Sequence, residues 1–154
     1  FSNNVSSQAR EATGRALSSG TEPAPAEVAR DLGLGAEEPV VVLETLSLVD
    51  GQPLSLATHW FPLPRFVALP AHFEKSGSIT RALLACGVAD YTRRETRITA
   101  RSATPEEASI LLLPVGAPLL ISEAVNIDPD GTPTHVSRAR FAADRVQMVV
   151  RDEA

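Results

Sequence analysis

The feature that most constrains this chain is a pattern it uses twice, over residues 25–61 and 105–141. Each copy opens on a short helix-like run (25–32 and 105–112) and passes a proline, Pro39 or Pro118, into an apolar strand. Each strand turns at Asp50-Gly51-Gln52-Pro53 or Asp130-Gly131-Thr132-Pro133 and returns as a second strand ending at Phe61 or Phe141. Asp50, Gly51, Pro53 and Phe61 meet their counterparts at a constant spacing of 80 residues. A unit of this size cannot bury its apolar face alone, so two of them predict an internal duplication whose halves share one core and frame a cleft. Identities at that spacing are few, and two unrelated helix–hairpin units are the alternative.

Length and composition narrow the function. With 154 residues, 44% of them hydrophobic, the chain can build one domain around its own core. No apolar run approaches the ~20 residues of a membrane span. The net charge of −5, without a block of Lys or Arg, excludes nucleic-acid binding by this piece on its own. Cys86 stands alone in an apolar run, which allows no internal disulfide and fits a buried thiol in a reducing cytoplasm. A chain that opens on Phe1-Ser2-Asn3-Asn4 reads as part of something longer. There is no glycine-rich phosphate loop, no Gly-x-Ser-x-Gly elbow and no metal-ligand spacing around His59, His72 or His135. Neither cofactor nor metal is expected, and binding takes precedence over catalysis.

Along the chain, residues 1–13 suit an edge strand or a helix, 15–18 a short strand and 20–25 a loop. The clearest β signal is 40–49 followed by 54–61, with Asp50-Gly51 as the hairpin marker. If residues 50–52 form a three-residue loop, Leu46, Leu48, Leu54 and Leu56 share one face, and Thr45, Ser47, Ser55, Ala57 and His59 share the other. The leucine face must enter the core. The polar face is either solvated or, since it carries few charges, the wall of a polar cavity. Residues 78–87 have helical spacing with Ser78 as N-cap and Gly87 as stop, and free amides at such a start attract anions. Residues 91–101 alternate, with Arg93, Glu95, Arg97 and Arg101 on one side, the pattern of a solvated strand face. Thr104-Pro105-Glu106-Glu107 is a capping box with proline at the first helical position. The second hairpin occupies 119–126 and 134–141, and Asp144-Arg145 turns into a last apolar strand at 146–150. The sum is an α+β domain: about six strands, mainly antiparallel, with some three helices packed against them.

The ordered set of motifs resembles a known family. Arg94 to Arg101, then Pro105-Glu106-Glu107-Ala108, Leu112 and Pro118-Leu119-Leu120, look like the effector-binding UTRA domain of GntR-type transcription regulators of the HutC subfamily. So do the two Asp-Gly-x-Pro turns with Ser137, Phe141 and Asp144-Arg145. The segments Leu43-Glu44-Thr45-Leu46, His59-Trp60-Phe61 and Thr96 to Arg101 are most similar to the branch that regulates phosphonate uptake and breakdown. The resemblance covers nearly the whole chain as a single domain.

It implies a chorismate-lyase-like fold, a homodimer, and a winged-helix DNA-binding domain outside this chain. DNA would be contacted only through that domain, and no membrane is involved. Position by position it implies an effector cleft lined by Thr45, Ser47, Ala57, His59, Ser78, His135, Ser137 and Phe141. Sugar-phosphate-binding relatives often carry arginines at the places of Thr45 and Ser47, glutamate at His135 and tyrosine at Phe141. Arg97 restores a cation if its strand face turns inward. The expected guest is a small phosphonate or related anion. The rivals are a chorismate-lyase-like enzyme, supported by fold analogy alone, and a purely structural dimerisation module.

Overall fold

The computed structural model describes residues 12–152; the early part of the expectation for 1–13 lies outside them. In chain order the elements are β1 (Ala12–Pro23), α1 (Ala26–Leu32), β2 (Pro39–Val49), β3 (Gln52–Pro62), α2 (Leu69–Ser76), α3 (Ile79–Ala85), β4 (Thr92–Ser102), α4 (Pro105–Leu111), β5 (Pro118–Ile127) and β6 (Pro133–Ala142), followed by a 3-10 turn at Ala143–Arg145. The strands form one antiparallel sheet in the order β1-β2-β3-β6-β5-β4.

That order is the repeat made visible. Each half is strand, helix, hairpin, and the halves meet where β3 pairs with β6. Thr58 lies opposite Arg138 in that pairing, and these are the positions 80 residues apart. Pairs on either side exchange halves: Leu56 faces Arg140 and Trp60 faces Val136. A two-fold relation therefore runs through the Thr58–Arg138 pair.

The sheet sorts its faces by period two. Toward one side point Val40, Val42, Trp60, Val125 and Val136, which with Val28, Ala29 and Leu32 of α1 form one cluster. Leu46, Leu56, Leu119 and Ile121 do the same beneath Ala108 and Leu111 of α4. Burial of each such aliphatic side chain contributes about 1.5–3 kcal/mol, so helices of seven residues, too short to persist alone, are held by packing. The capping box is present as the sequence predicts: Thr104 Oγ1 accepts from Glu107 N, and Glu107 Oε1 accepts from Thr104 N. On the opposite face α2 and α3 cover Val41, Leu43 and Phe61 through Phe66, Leu69, Phe73, Ala82 and Leu83.

Between the two leading helices runs a chain of charges. Glu107 takes two bonds from Arg101, at 2.6 and 2.7 Å, and one from Arg140 at 3.3 Å. Arg140 continues to Glu44 at 3.1 Å. The Arg101 guanidinium beside Glu107, more than the burial that opposes it, holds its carboxyl down at about 2.

Three expectations are corrected. Residues 146–150 form no strand; Val146 and Met148 instead pack on Ala57, Ala139 and Phe141. The sixth strand is β1, longer than residues 15–18 and absorbing most of the predicted loop at 20–25. The first hairpin closes through two residues, because Asp50 (φ +50°) and Gly51 (φ +79°) both adopt the left-handed conformation that matches strand twist. Ser47 nevertheless faces Ser55, because Leu54 is skipped in the register. Leu54 thereby leaves the leucine face and joins the cluster around Phe141, while Thr45, Ser47, Ser55, Ala57 and His59 keep the common face read from alternation.

Candidate functional site

Where α2 and α3 stop covering the sheet, a cavity of about 270 Å³ lies on that face. This is at the small end of ligand sites, which run from ~300 to 1,000 Å³. Its floor is the centre of the sheet: Thr45 and Ser47 from β2, Ser55, Ala57 and His59 from β3, Asn126 from β5, and His135, Ser137 and Ala139 from β6. Its walls are Thr13 and Gly14 of β1, Phe73, the Gly77–Thr80 corner, and Tyr91 and Arg93 at the start of β4. Thr45, Ser55, His59, Asn126 and His135 are buried, so the polar face is not solvated.

Two glycines close one wall. A Cβ on Gly14 would lie 2.6 Å from Gly77 O and 2.9 Å from Phe73 Cζ, so only glycine lets β1 press against the α2–α3 corner. Gly77 itself has φ +67° and ends α2. The following residue, Ser78, caps α3 by accepting from Arg81 N at 3.2 Å. Across the corner the Thr80 and Tyr91 hydroxyls are 3.0 Å apart.

The histidines are fixed by hydrogen bonds and by rings. Thr134 Oγ1 donates to Asn126 O at 3.2 Å, which leaves it to accept from His135 Nδ1–H at 3.2 Å. His135 Nε2 then carries no proton and accepts from Asn126 Nδ2 at 3.1 Å. His135 stacks on Phe61 with centroids 5.1 Å apart, and His59, 6.3 Å from His135, bonds Thr45 Oγ1 at 3.2 Å. Burial, then the charge of Arg140, lowers His59 to about 4; burial, then His59 and Arg93, lowers His135 to about 3. Both imidazoles are neutral at pH 7. His59 Nδ1 and Asn126 Oδ1 are buried without a hydrogen-bond partner among the described residues.

Of the residues expected to line a cleft, the structure brings together Thr45, Ser47, Ala57, His59, Ser78, His135 and Ser137. Two lie elsewhere. Phe141, fully buried, sits behind Ala57 and Ala139, where Val146 and Met148 cover it. Arg97 is on the opposite face, 3.0 Å from Asp31 and 2.8 Å from Glu95.

The cation that alternation missed is Arg93, half-buried at the cavity rim and lowered by burial to about 10. Strict alternation puts Arg93 with Glu95 and Arg97. In the structure Arg93 faces Asn126 while Glu95 faces Val125, so Arg94 is an extra residue and a bulge turns Arg93 to the cavity side. Nothing in the local sequence marks that bulge. Asn126, Tyr91 and Thr80 were missed for a related reason, since each joins the site through an element distant in sequence.

The fold and the pocket define a class: residues 7–147 match the UTRA domain, and the chain belongs to that family. It has the chorismate-lyase-like architecture of the family's ligand-binding domains. Among particular relatives, it is 40% identical over 148 residues to the HTH-type transcriptional regulator RB1450 of Rhizobium meliloti (strain 1021), covering 96% of this chain and 61% of that protein. It is 32% identical over 151 residues to PhnF of Escherichia coli (strain K12), named for transcriptional regulation, covering 97% of this chain and 62% of that protein. The chain thus spans about three fifths of the length of these relatives. A crystal structure of a PhnF C-terminal domain superposes with a TM-score of 0.78 at 30% identity, covering 97% of this chain and 94% of that one. PhnF from Mycobacterium smegmatis shares the fold, with a TM-score of 0.87 at 23% identity over 100% of this chain and 68% of that one.

Proposed function

We propose that this chain is the effector-binding and dimerisation domain of a bacterial transcriptional regulator, and that it answers to a small phosphonate or related anion. It is a regulatory module, not an enzyme, as its relatives are regulators. The observation that carries the reading is the cavity: both halves of the repeat, the start of α3 and the rim arginine converge on one small chamber that sets several polar side chains among apolar walls. The phosphonate is the guest that the motif resemblance implies, and the chamber supplies compatible chemistry.

Arg93 provides the charge-assisted contact, worth ~1.5–3 kcal/mol. Hydroxyls of Thr45, Ser47, Ser78 and Ser137 donate to the remaining oxygens. With seven residues, α3 has a weak dipole, so the side chains bear most of the binding. His59 and His135 act as neutral partners that orient the guest. No helix among the described residues is long and apolar enough to cross a membrane, and we place the domain in the cytoplasm as half of a homodimer that reaches DNA through a winged-helix domain outside this chain.

A guest touching β2, β3, β6 and α3 draws the helical corner toward the sheet. A coupling of ~1–3 kcal/mol between that movement and the DNA-binding arrangement is enough for regulation. The test is calorimetric titration of the folded chain with alkylphosphonates and phosphate. Saturable heat, reduced about tenfold in affinity by Arg93→Gln, is expected; silence with every anion would overturn the proposal.

A further inference from the structure

The cavity's charge inventory says which form of an anion it can hold. Among the described residues that line it, Arg93 is the one with a permanent charge, and none is a carboxylate. These described residues therefore offer at most one positive charge. The imidazoles add none: His135 Nε2 is already the acceptor of the Asn126 amide, and His59 is 8% exposed with its Nε2 on Thr45. Their depressed pKa values agree with this. Arg140, whose field reaches His59, lies on the other face of the sheet, where Glu44 and Glu107 match it.

We propose that the cavity selects its ligand by charge state, taking a singly charged tetrahedral anion in preference to a doubly charged one of the same size. This rests on the reading of the cavity as the effector site. A first negative charge has Arg93 as its partner. A second must leave water for a chamber of about 270 Å³ with no further cation among the described lining residues to meet it. Neutral hydroxyl donors do not make up that loss of hydration. The same hydroxyls of Thr45, Ser47, Ser55, Ser78 and Ser137 serve either charge state, so they add affinity without discriminating. Alkylphosphonates change between these states near neutral pH, so only their monoprotonated form meets the chamber's demand.

The experiment uses two matched pairs, each titrated calorimetrically into the 154-residue chain. The first is methanesulfonate against sulfate, whose charges are fixed across the working range. The second is the monomethyl ester of methylphosphonate against methylphosphonate itself at a pH where the latter is a dianion. The singly charged member is expected to bind at least tenfold more tightly in both pairs. Ser47→Arg, which adds a cation at a half-buried lining position, is expected to bring the ratio to one or below. Equal or tighter binding of the dianions by the parent chain overturns charge selection while leaving the effector-site reading standing. An unchanged ratio in a folded Ser47→Arg variant overturns it too, because charge would not then be what selects. Heat from no member of either pair, from a chain shown folded by circular dichroism, removes the effector-site reading and this inference with it.

Discussion

Replacing Glu107 by Gln tests the central charge chain directly. Glu107 is buried, bound by two nitrogens of Arg101 and one of Arg140, and its side chain also accepts from Thr104 N. Its carboxyl is held at about 2 against an ordinary 4.5. At ~1.36 kcal/mol per unit, that difference is about 3 kcal/mol of native-state preference for the charged form. The Arg101 side chain is 44% exposed, so solvent screening reduces the usable part to about 1–2 kcal/mol. Glutamine keeps the bond to Thr104 N and the shape, and removes the charge from beside Arg140, whose Nε is already buried without a partner. At ~2–4 °C per kcal/mol for a chain of this size, the variant should melt about 2–8 °C lower at pH 7. The sign with pH follows from a depressed acid: its contribution is complete above 4.5 and is lost as pH falls toward about 2. Thermal melts of both proteins from pH 7 down to pH 3.5 should therefore show the gap narrowing below pH 4.5. Equal melting at neutral pH, or a gap that holds constant down to pH 3.5, would refute the reasoning.

Three further outcomes are expected. Gly14→Ala places a methyl 2.6 Å from Gly77 O, so overpacking should cost ~1–3 kcal/mol in urea unfolding and weaken anion binding, while Gly20→Ala, with open space around it, should do neither. Arg97→Ala removes only surface ion pairs on the far face, so stability should change by less than ~1 kcal/mol with the anion titration unchanged. His59→Gln and His135→Gln remove bases whose folded pKa lies below 6.5; the parent should lose stability as pH falls from 6.5 toward 4, by up to ~1.4 kcal/mol per unit per histidine, and the double variant should show a flatter slope in the same window by chemical unfolding.

The chain's own order of residues determined a good deal. Binary alternation around Asp50-Gly51 put Thr45, Ser47, Ala57 and His59 on one face, and it did so although the turn has two residues instead of three, because Leu54 is skipped and parity is restored. The capping box at Thr104 and the N-cap at Ser78 were legible because each is a contact within three residues. The two-fold arrangement was legible because equal spacing in sequence becomes equal placement in the sheet. Other features were settled only by packing between distant segments. Arg93 enters the chamber through a bulge against β5, and Phe141 is withdrawn from it by residues 146–148 folding back over Ala139. Both depend on what lies across the sheet, which local periodicity does not encode. The depressed basicity of the histidines has the same origin: it comes first from burial at the centre of the sheet, where His59 and His135 pack on Phe61 and His135 also meets Tyr91, and a histidine's neighbours in sequence carry no record of what will cover it.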